Sequence, residues 1–249
     1  MQKILLTIAY DGTAYAGWQR QDNAVAVQEK IEDALTSLIG RPVAVKAASR
    51  TDAGVHALGQ RAAFCADDLL LPIGKLPQVL SSHLPGDISV TEAVYVPAEF
   101  DPQFDAVSKT YIFQFHNAPC PNPLLRRYSA FIPNQLDIDA MKEAASYFVG
   151  RHDFKGFSAT GSSAKTTVRE IFDCKVDGPL ESGLITMTVR GGGFLYNMVR
   201  IIAGTILYTG LGQISPGDIS GIIASKDRRL AGKTMPPEGL ILVRVMYKE

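Results

Sequence analysis

The chain has 249 residues, of which 46% are hydrophobic and 20% charged, so it can bury a core and is not disordered. Its 25 Lys and Arg balance its 25 Asp and Glu, which excludes a histone-like polycation but not an enzyme with a local basic cleft. The longest strongly apolar stretch, residues 201–208, is much shorter than the ~20 residues of a membrane helix. Because the sequence also shows no signal-peptide cleavage site and only three Cys, we expect a globular cytoplasmic protein without disulfides.

Apolar periodicity predicts strands and helices interspersed along the chain. Predicted strands cover residues 3–10, 42–48, 61–66, 88–96, 109–115, 166–176, 184–190 and 240–247. Predicted helices cover residues 24–39, 72–84, 136–148, 194–208 and 216–224, with Asn23 capping the first and Pro77 starting or kinking the second. Short turns between neighbouring strands favour an α+β fold with largely antiparallel sheets over a doubly wound parallel sheet.

Nucleotide-binding and metal-binding motifs are missing from the sequence. It has no G-x-x-x-x-G-K-[ST] loop, and no G-x-G-x-x-G follows the first predicted strand. The four His, at positions 56, 83, 116 and 152, lie far apart and lack the spacing of metal ligands. We therefore predict chemistry that runs on side chains alone, with no cofactor and no metal.

The densest cluster of unusual residues is the polar segment 49–56, Ser-Arg-Thr-Asp-Ala-Gly-Val-His. One interpretation is a turn in which the Asp52 side chain caps nearby backbone N–H groups. The other is a functional carboxylate kept ionised by the neighbouring guanidinium of Arg50, as a nucleophile or general base requires. Composition alone leaves both interpretations open.

A second cluster, residues 10–21, places two Tyr and the only Trp beside Gln19 and Arg20 in a loop that contains glycine. Aromatic faces with Arg and Gln are suited to stacking and hydrogen bonding with nucleobases or ribose-phosphate. The alternative is that these aromatic rings pack into the core.

Two further residues stand out. Arg200 follows Tyr196 by about one helical turn, and it is either a solvated Arg or one paired with a buried carboxylate. Tyr111 lies in a strongly predicted strand, where core packing is the usual role of a Tyr.

Together these segments resemble the TruA-type tRNA pseudouridine synthases. The opening residues 10–13 and 17–21 are similar to the first motif of that family, and residues 49–57 are similar to its catalytic motif. Residues 109–111, 152–158, 194–200 and 237–240 match further family motifs in the same order. The resemblance spans almost the whole chain.

The resemblance implies two similar α/β lobes around a central catalytic cleft, residues 1–107 with the Asp loop and residues 108–249. It implies cofactor-free isomerisation of uridine to pseudouridine at positions 38, 39 and 40 of the tRNA anticodon arm, by a homodimer. It makes Asp52 the catalytic aspartate, Tyr111 a contact of the target base and Arg200 the basic partner of Asp52. The RNA-binding residues that we predict are Gln19, Arg20, Arg50, His56 and Lys109.

The sequence departs from the family pattern at Asp101, Gln103 and Ile112, where basic or polar residues are common in relatives. Two other functions stay open at this point. The enzyme acts on a different structured RNA, or the protein is an RNA-binding folding helper that remodels tRNA without chemistry.

Overall fold

The computed structural model describes residues 2–66, 69–161 and 164–248. The chain forms two compact units. Unit 1 contains Met1–Val107 together with Ile241–Glu249, and unit 2 contains Ser108–Leu240. The predicted second lobe runs to residue 249, whereas the last strand of the chain lies in unit 1 because it pairs with a strand of that unit.

Unit 1 is built on an antiparallel sheet with one parallel addition. Its described strands and helices are β1 (Lys3–Tyr10), α1 (Val27–Ile39), β2 (Lys46–Ala47), β3 (His56–Cys65), α2 (Leu76–Ser82), β4 (Ile88–Val96) and β10 (Leu240–Tyr247). The strand order is β4-β1-β3-β10, and β2 pairs with β3. Strand β1 is antiparallel to β3 and β4, whereas β10 runs parallel to β3.

Helix α1 shows how the sequence places the core of unit 1. Val27, Ile31 and Leu35 recur at helical spacing and are completely buried. Gly40 ends the helix in the left-handed conformation, which glycine adopts without steric cost. The helix begins at Val27 after an Ala26 cap, so the predicted Asn23 cap is wrong.

Unit 2 contains three helices and five strands within the described residues. They are β5 (Ala106–Asn117), β6 (Ala130–Ile132), α3 (Ile138–Ser146), β7 (Gly150–Asp153), β8 (Val168–Asp177), β9 (Leu184–Gly191), α4 (Met198–Gly210) and α5 (Ile219–Ser225). The order is β5-β9-β8-β7 with antiparallel pairing throughout, and β6 adds to β5 in parallel.

The core of unit 2 lies around α4, which is buried on nearly every side. This explains its almost uniformly apolar sequence, because a helix that meets packed neighbours all round needs no polar face. Phe148, Phe154 and Phe157 form a completely buried edge-to-face cluster in the same unit. No helix in the described ranges combines the length and hydropathy needed to cross a bilayer.

The α+β class with mostly antiparallel sheets is confirmed, and so are the bounds of β1, β4 and β10. The predicted strand 42–48 is wrong except at β2, and β3 begins five residues earlier than predicted. The short strands β6 and β7 were not predicted. Pro77 lies in the first turn of α2, where a missing N–H costs no helical hydrogen bond.

Candidate functional site

Asp52 lies in the loop that connects β2 to β3. Its backbone carbonyl accepts a hydrogen bond from the Val55 N–H at 3.1 Å, which closes a four-residue turn. Gly54, the third residue of this turn, has φ +77°, as a type II turn requires. Thr51 and Val55 are buried on either side, whereas Asp52 is half-buried. The turn is therefore anchored at both ends, with the half-buried Asp52 between the two anchoring residues.

A second loop, residues 11–18, holds this turn in place. The Trp18 N–H donates to the Thr51 carbonyl at 3.0 Å, and the Gly54 N–H donates to the Tyr15 carbonyl at 3.2 Å. The hydroxyls of Tyr10 and Thr51 share a buried hydrogen bond of 2.7 Å. We call residues 11–18 the collar, since they contact the Asp52 loop on both sides of the carboxylate.

Two glycines allow the collar to approach the Asp52 loop backbone to backbone. A methyl group added at Gly12 would overlap the Val55 carbonyl oxygen. At Gly17, which has φ +94°, the same addition would lie 2.6 Å from the Thr51 carbonyl oxygen. Any side chain at either position would push the two loops apart. The sequence marked both glycines as part of a candidate RNA-binding loop but did not show this packing.

We expect Gly12→Ala to lower the free energy of unfolding by about 1–3 kcal/mol, the usual cost of overpacking a buried site. Denaturant unfolding measures the change. Gly86→Ala is the matched control in unit 1, because no atom lies within 4 Å of its added methyl group. Equal stabilities of the two variants would show that the collar does not depend on the close approach.

His56 is the first residue of β3 and directly follows the Asp52 loop. Its Nδ1 is 3.0 Å from the Gly12 N–H, which donates to it, and 3.2 Å from an oxygen of Asp11. The imidazole is almost completely buried. In this arrangement His56 supports the junction of the collar and the Asp52 loop, and its predicted contact with RNA stays a prediction.

Gln19 and Arg20 are held against α1. Gln19 donates to Gln28 at 2.9 Å, and the Arg20 guanidinium donates to Glu32 at 3.1 Å. This hydrogen bond raises the pKa of Arg20. Glu32 is buried and also accepts from the Val45 N–H, so it fixes the segment that follows the collar to the helix. The guanidinium of Arg20 is still half exposed, and Arg50 is exposed beside Thr51.

Tyr111 lies on β5 in unit 2, opposite Val189 of β9. Its ring is buried and meets the Phe194 ring edge to face, with centroids 5.3 Å apart. Lys109 leaves the same face of the strand two residues earlier. Burial lowers the pKa of Lys109 to about 8, because desolvation disfavours the ammonium form.

Arg200 is oriented by groups of its own unit. Its Nε donates to the Met235 carbonyl at 2.6 Å, and one terminal nitrogen donates to Asn197 Oδ1 at 2.8 Å. Asn197 caps α4 in a left-handed conformation, φ 59°. Arg200 is half-buried with two fixed acceptors, and its pairing with a carboxylate stays a prediction.

The Met235 carbonyl reaches Arg200 because residues 231–235 pack directly on α4. A methyl group added at Gly204, one helical turn after Arg200, would overlap the Lys233 carbonyl oxygen. The Gly232 N–H donates to the Thr205 hydroxyl at 2.9 Å. A glycine inside a predicted helix was the only sequence signal for this contact.

Asp101, one of the departures from the family pattern, has a local structural role. It accepts hydrogen bonds from the backbone N–H groups of Gln103 and Phe104 and forms an ion pair with Lys46. Burial raises the pKa of Asp101, but these contacts outweigh it and the net shift is downward. Ile112 is half-buried on β5.

The predicted site residues divide between the two units. Asp52, with the collar and the candidate RNA-binding residues of the first motifs, belongs to unit 1, whereas Lys109, Tyr111 and Arg200 belong to unit 2. The pairing of Asp52 with Arg200 stays a prediction. In the part of the chain that the structure describes, no three His, Cys, Asp or Glu are grouped as metal ligands.

Comparison with known proteins gives full-length matches. The family model described as tRNA pseudouridine synthase matches residues 6–105 and 144–248. The chain is 48% identical over 247 residues to tRNA pseudouridine synthase A of Caldicellulosiruptor bescii, covering 99% of this chain and 100% of that protein. The proteins of the same name from Geotalea uraniireducens and Ruminiclostridium cellulolyticum are 47% and 46% identical, with the same coverage.

Proposed function

Because the chain belongs to the tRNA pseudouridine synthase family, we propose that it isomerises uridine to pseudouridine in tRNA. The observation that carries this proposal is the Asp52 loop. The segment that resembles the catalytic motif is hydrogen-bonded to the collar on both sides of Asp52. The half-buried Asp52 lies between the buried residues Thr51 and Val55. Such a loop holds its carboxylate in a fixed position, as a reaction that depends on one carboxylate requires.

The reaction is balanced without any co-reactant. The bond between N1 of uracil and C1′ of ribose breaks, a bond from C5 to C1′ forms, C5 loses its proton and N1 gains one. Asp52 starts this sequence by attack at C1′, by attack at the uracil ring or by removal of a ribose proton. In the proposal Tyr111 contacts the target base, and Arg200 holds the Asp52 carboxylate ionised and oriented.

We place the target uridines in the anticodon arm, at positions 38, 39 and 40, on the basis of the family resemblance. A uridine in a stem has to leave the stack, at a cost of a few kcal/mol. The aromatic pair Tyr111–Phe194 supports the proposal, because ring contacts with the displaced base offset that cost. We also propose that the protein is cytoplasmic and forms a homodimer, and light scattering of the purified protein tests the dimer.

The direct test is release of tritium from tRNA labelled at C5 of uracil, by purified protein without added metal or nucleotide. We expect release in the presence of a chelator, and activity lost in chelator would contradict the cofactor-free reaction. Mapping pseudouridines in RNA from cells that lack the gene separates tRNA from another structured RNA. A folding helper would instead change tRNA structure and release no tritium.

We expect the affinity for tRNA to fall as the pH rises from 7 to 9, because Lys109 loses its charge in this window. With a pKa of about 8 it is mostly protonated at pH 7 and mostly neutral at pH 9, and a neighbouring phosphate needs the charged form. The dissociation constant should rise up to about 10-fold, the limit set by the protonated fraction. Titrations at constant ionic strength measure it.

Lys109→Arg is the control for this pH dependence, since a guanidinium stays charged throughout the range. Ionisation of uracil itself affects both proteins equally and cancels in the comparison. If the affinity of the Arg variant falls with pH as steeply as that of the parent, Lys109 does not contact phosphate.

A further inference from the structure

Charge is distributed unevenly in this chain, although its net charge is zero. Residues 150–169 and 226–233 together hold eight Lys and Arg but only two carboxylates, compared with 25 of each in the whole chain. None of the candidate catalytic or RNA-binding residues named above lies in these two stretches.

The fold of unit 2 brings the two stretches together. A Cβ at Gly156 would lie 3.1 Å from the Lys226 carbonyl carbon and 3.2 Å from the Asp227 nitrogen, so the backbones touch here. The Lys226 ammonium forms an ion pair with Asp153 at 2.8 Å. We call four of the exposed cations of this region, Arg151, Lys155, Lys226 and Arg229, the basic surface.

Both carboxylates of this region are already paired. Hydrogen bonds from Lys226 and Thr167 lower the pKa of Asp153. Two hydrogen bonds at 2.6 and 3.0 Å from the Arg229 guanidinium to Asp227 lower the pKa of that carboxyl to about 2.

The other two cations form no ion pair. Within the described residues neither Arg151 nor Lys155 takes part in one, and both side chains are exposed, although the exposed Glu170 lies opposite Arg151 in the pairing of β7 with β8. With Glu170 counted, the four cations and three carboxylates leave an excess of one positive charge at neutral pH. A local excess of positive charge on a chain with no net charge indicates a binding surface for an anionic partner.

A pocket of about 370 Å³ opens on the same surface between β7 and α5. Its lining includes Arg151, Lys226 and Ser220, together with Asp153, whose carboxylate is paired with Lys226. Cationic nitrogens beside a hydroxyl are the donors that contact phosphate oxygens in nucleic-acid complexes. Since the chain offers these donors without a nucleotide-binding motif, they fit a backbone phosphate better than a bound nucleotide.

Both stretches are also connected by hydrogen bonds to residues near the start of α4, directly or through a residue that follows them. The Ala159 N–H donates to the Tyr196 carbonyl at 3.1 Å, and Met235, two residues after the second stretch, accepts from Arg200. The Tyr196 side chain is 47% exposed. A strand held on the basic surface would thus continue toward the residues beside Arg200.

We propose that the basic surface binds the sugar-phosphate backbone of the substrate RNA, away from the reacting uridine. This inference rests on the proposed function only for the identity of the RNA. Its contacts position the substrate and carry no sequence information.

The test compares Arg151→Gln/Lys155→Gln with the parent protein. Losing two phosphate contacts should raise the dissociation constant for tRNA about 10-fold and reduce the slope of log affinity against log salt by about 2. The turnover rate at saturating tRNA should be unchanged, whereas KM rises with the dissociation constant. Filter binding over a salt series and steady-state tritium release give the two readouts.

Lys142→Gln/Lys175→Gln is the matched control, with the same change of charge at two exposed lysines of unit 2 outside the basic surface. Equal losses of affinity in both double variants, or no loss in either, would overturn the proposal. The affinity for tRNA is measured without turnover, so failure of the basic surface to bind RNA is distinguishable from failure of the proposed isomerisation. A parent protein that binds tRNA through this surface but releases no tritium refutes only the proposed function.

Discussion

We expect Asp52→Asn to abolish pseudouridine formation, with a rate at least about 1000-fold below that of the parent, the scale on which loss of a central catalytic group acts. Asn has nearly the same shape as Asp but carries no charge, so it can neither attack carbon nor accept a proton. The turn keeps its Val55 to Asp52 backbone hydrogen bond, and the collar contacts of Thr51 and Gly54 are unaffected. We therefore expect tRNA binding within a few-fold of the parent and a melting temperature that stays within a few degrees of it.

Tritium release, filter binding and thermal melting on the same preparation check these three expectations. Asp22→Asn, an exposed carboxylate in unit 1, is the control for loss of one negative charge and should react like the parent. Continued pseudouridine formation by Asp52→Asn would show that another group starts the reaction. A variant that still restores tRNA folding in cells but forms no pseudouridine would favour an additional role as a folding helper.

Element bounds follow from the sequence wherever turn residues delimit an apolar run. β1 ends at Asp11-Gly12, β4 follows Pro85-Gly86-Asp87, and β10 follows two prolines. β7 could not be found in this way, because its four residues contain no apolar side chain and form a strand only by pairing with β8. The short β6 likewise depends on β5.

The candidate site was predictable as a set of residues but not as an arrangement. The motif around Asp52 is readable because its residue types are unusual in one short segment. The collar is not, because the contacts of Trp18 with Thr51 and of Tyr15 with Gly54 join residues more than 30 positions apart. The same holds for Gly204 and Lys233, whose close approach sets the position of Met235 beside Arg200.

The second large effect is expected at Arg200. Removing its side chain in Arg200→Ala leaves the buried Met235 carbonyl without its donor, which costs about 1–3 kcal/mol of unfolding free energy. Turnover should fall by about 100- to 1000-fold, as it does when one preorganised donor is removed from an active site. Arg200→Lys should recover part of the activity, since an ammonium restores the charge but not two directed N–H groups.

Leu207→Ala separates the two consequences of Arg200→Ala. It truncates a buried side chain on the same helix and should cost about 2–5 kcal/mol of stability while turnover per folded molecule stays normal. If Arg200 acts through Asp52, the double variant Asp52→Asn/Arg200→Ala is no slower than Asp52→Asn alone, because the two losses are then not additive. Independent losses would place Arg200 on the RNA instead. An Arg200→Ala protein that melts and reacts like the parent would show that its bonds to Met235 and Asn197 serve neither stability nor catalysis.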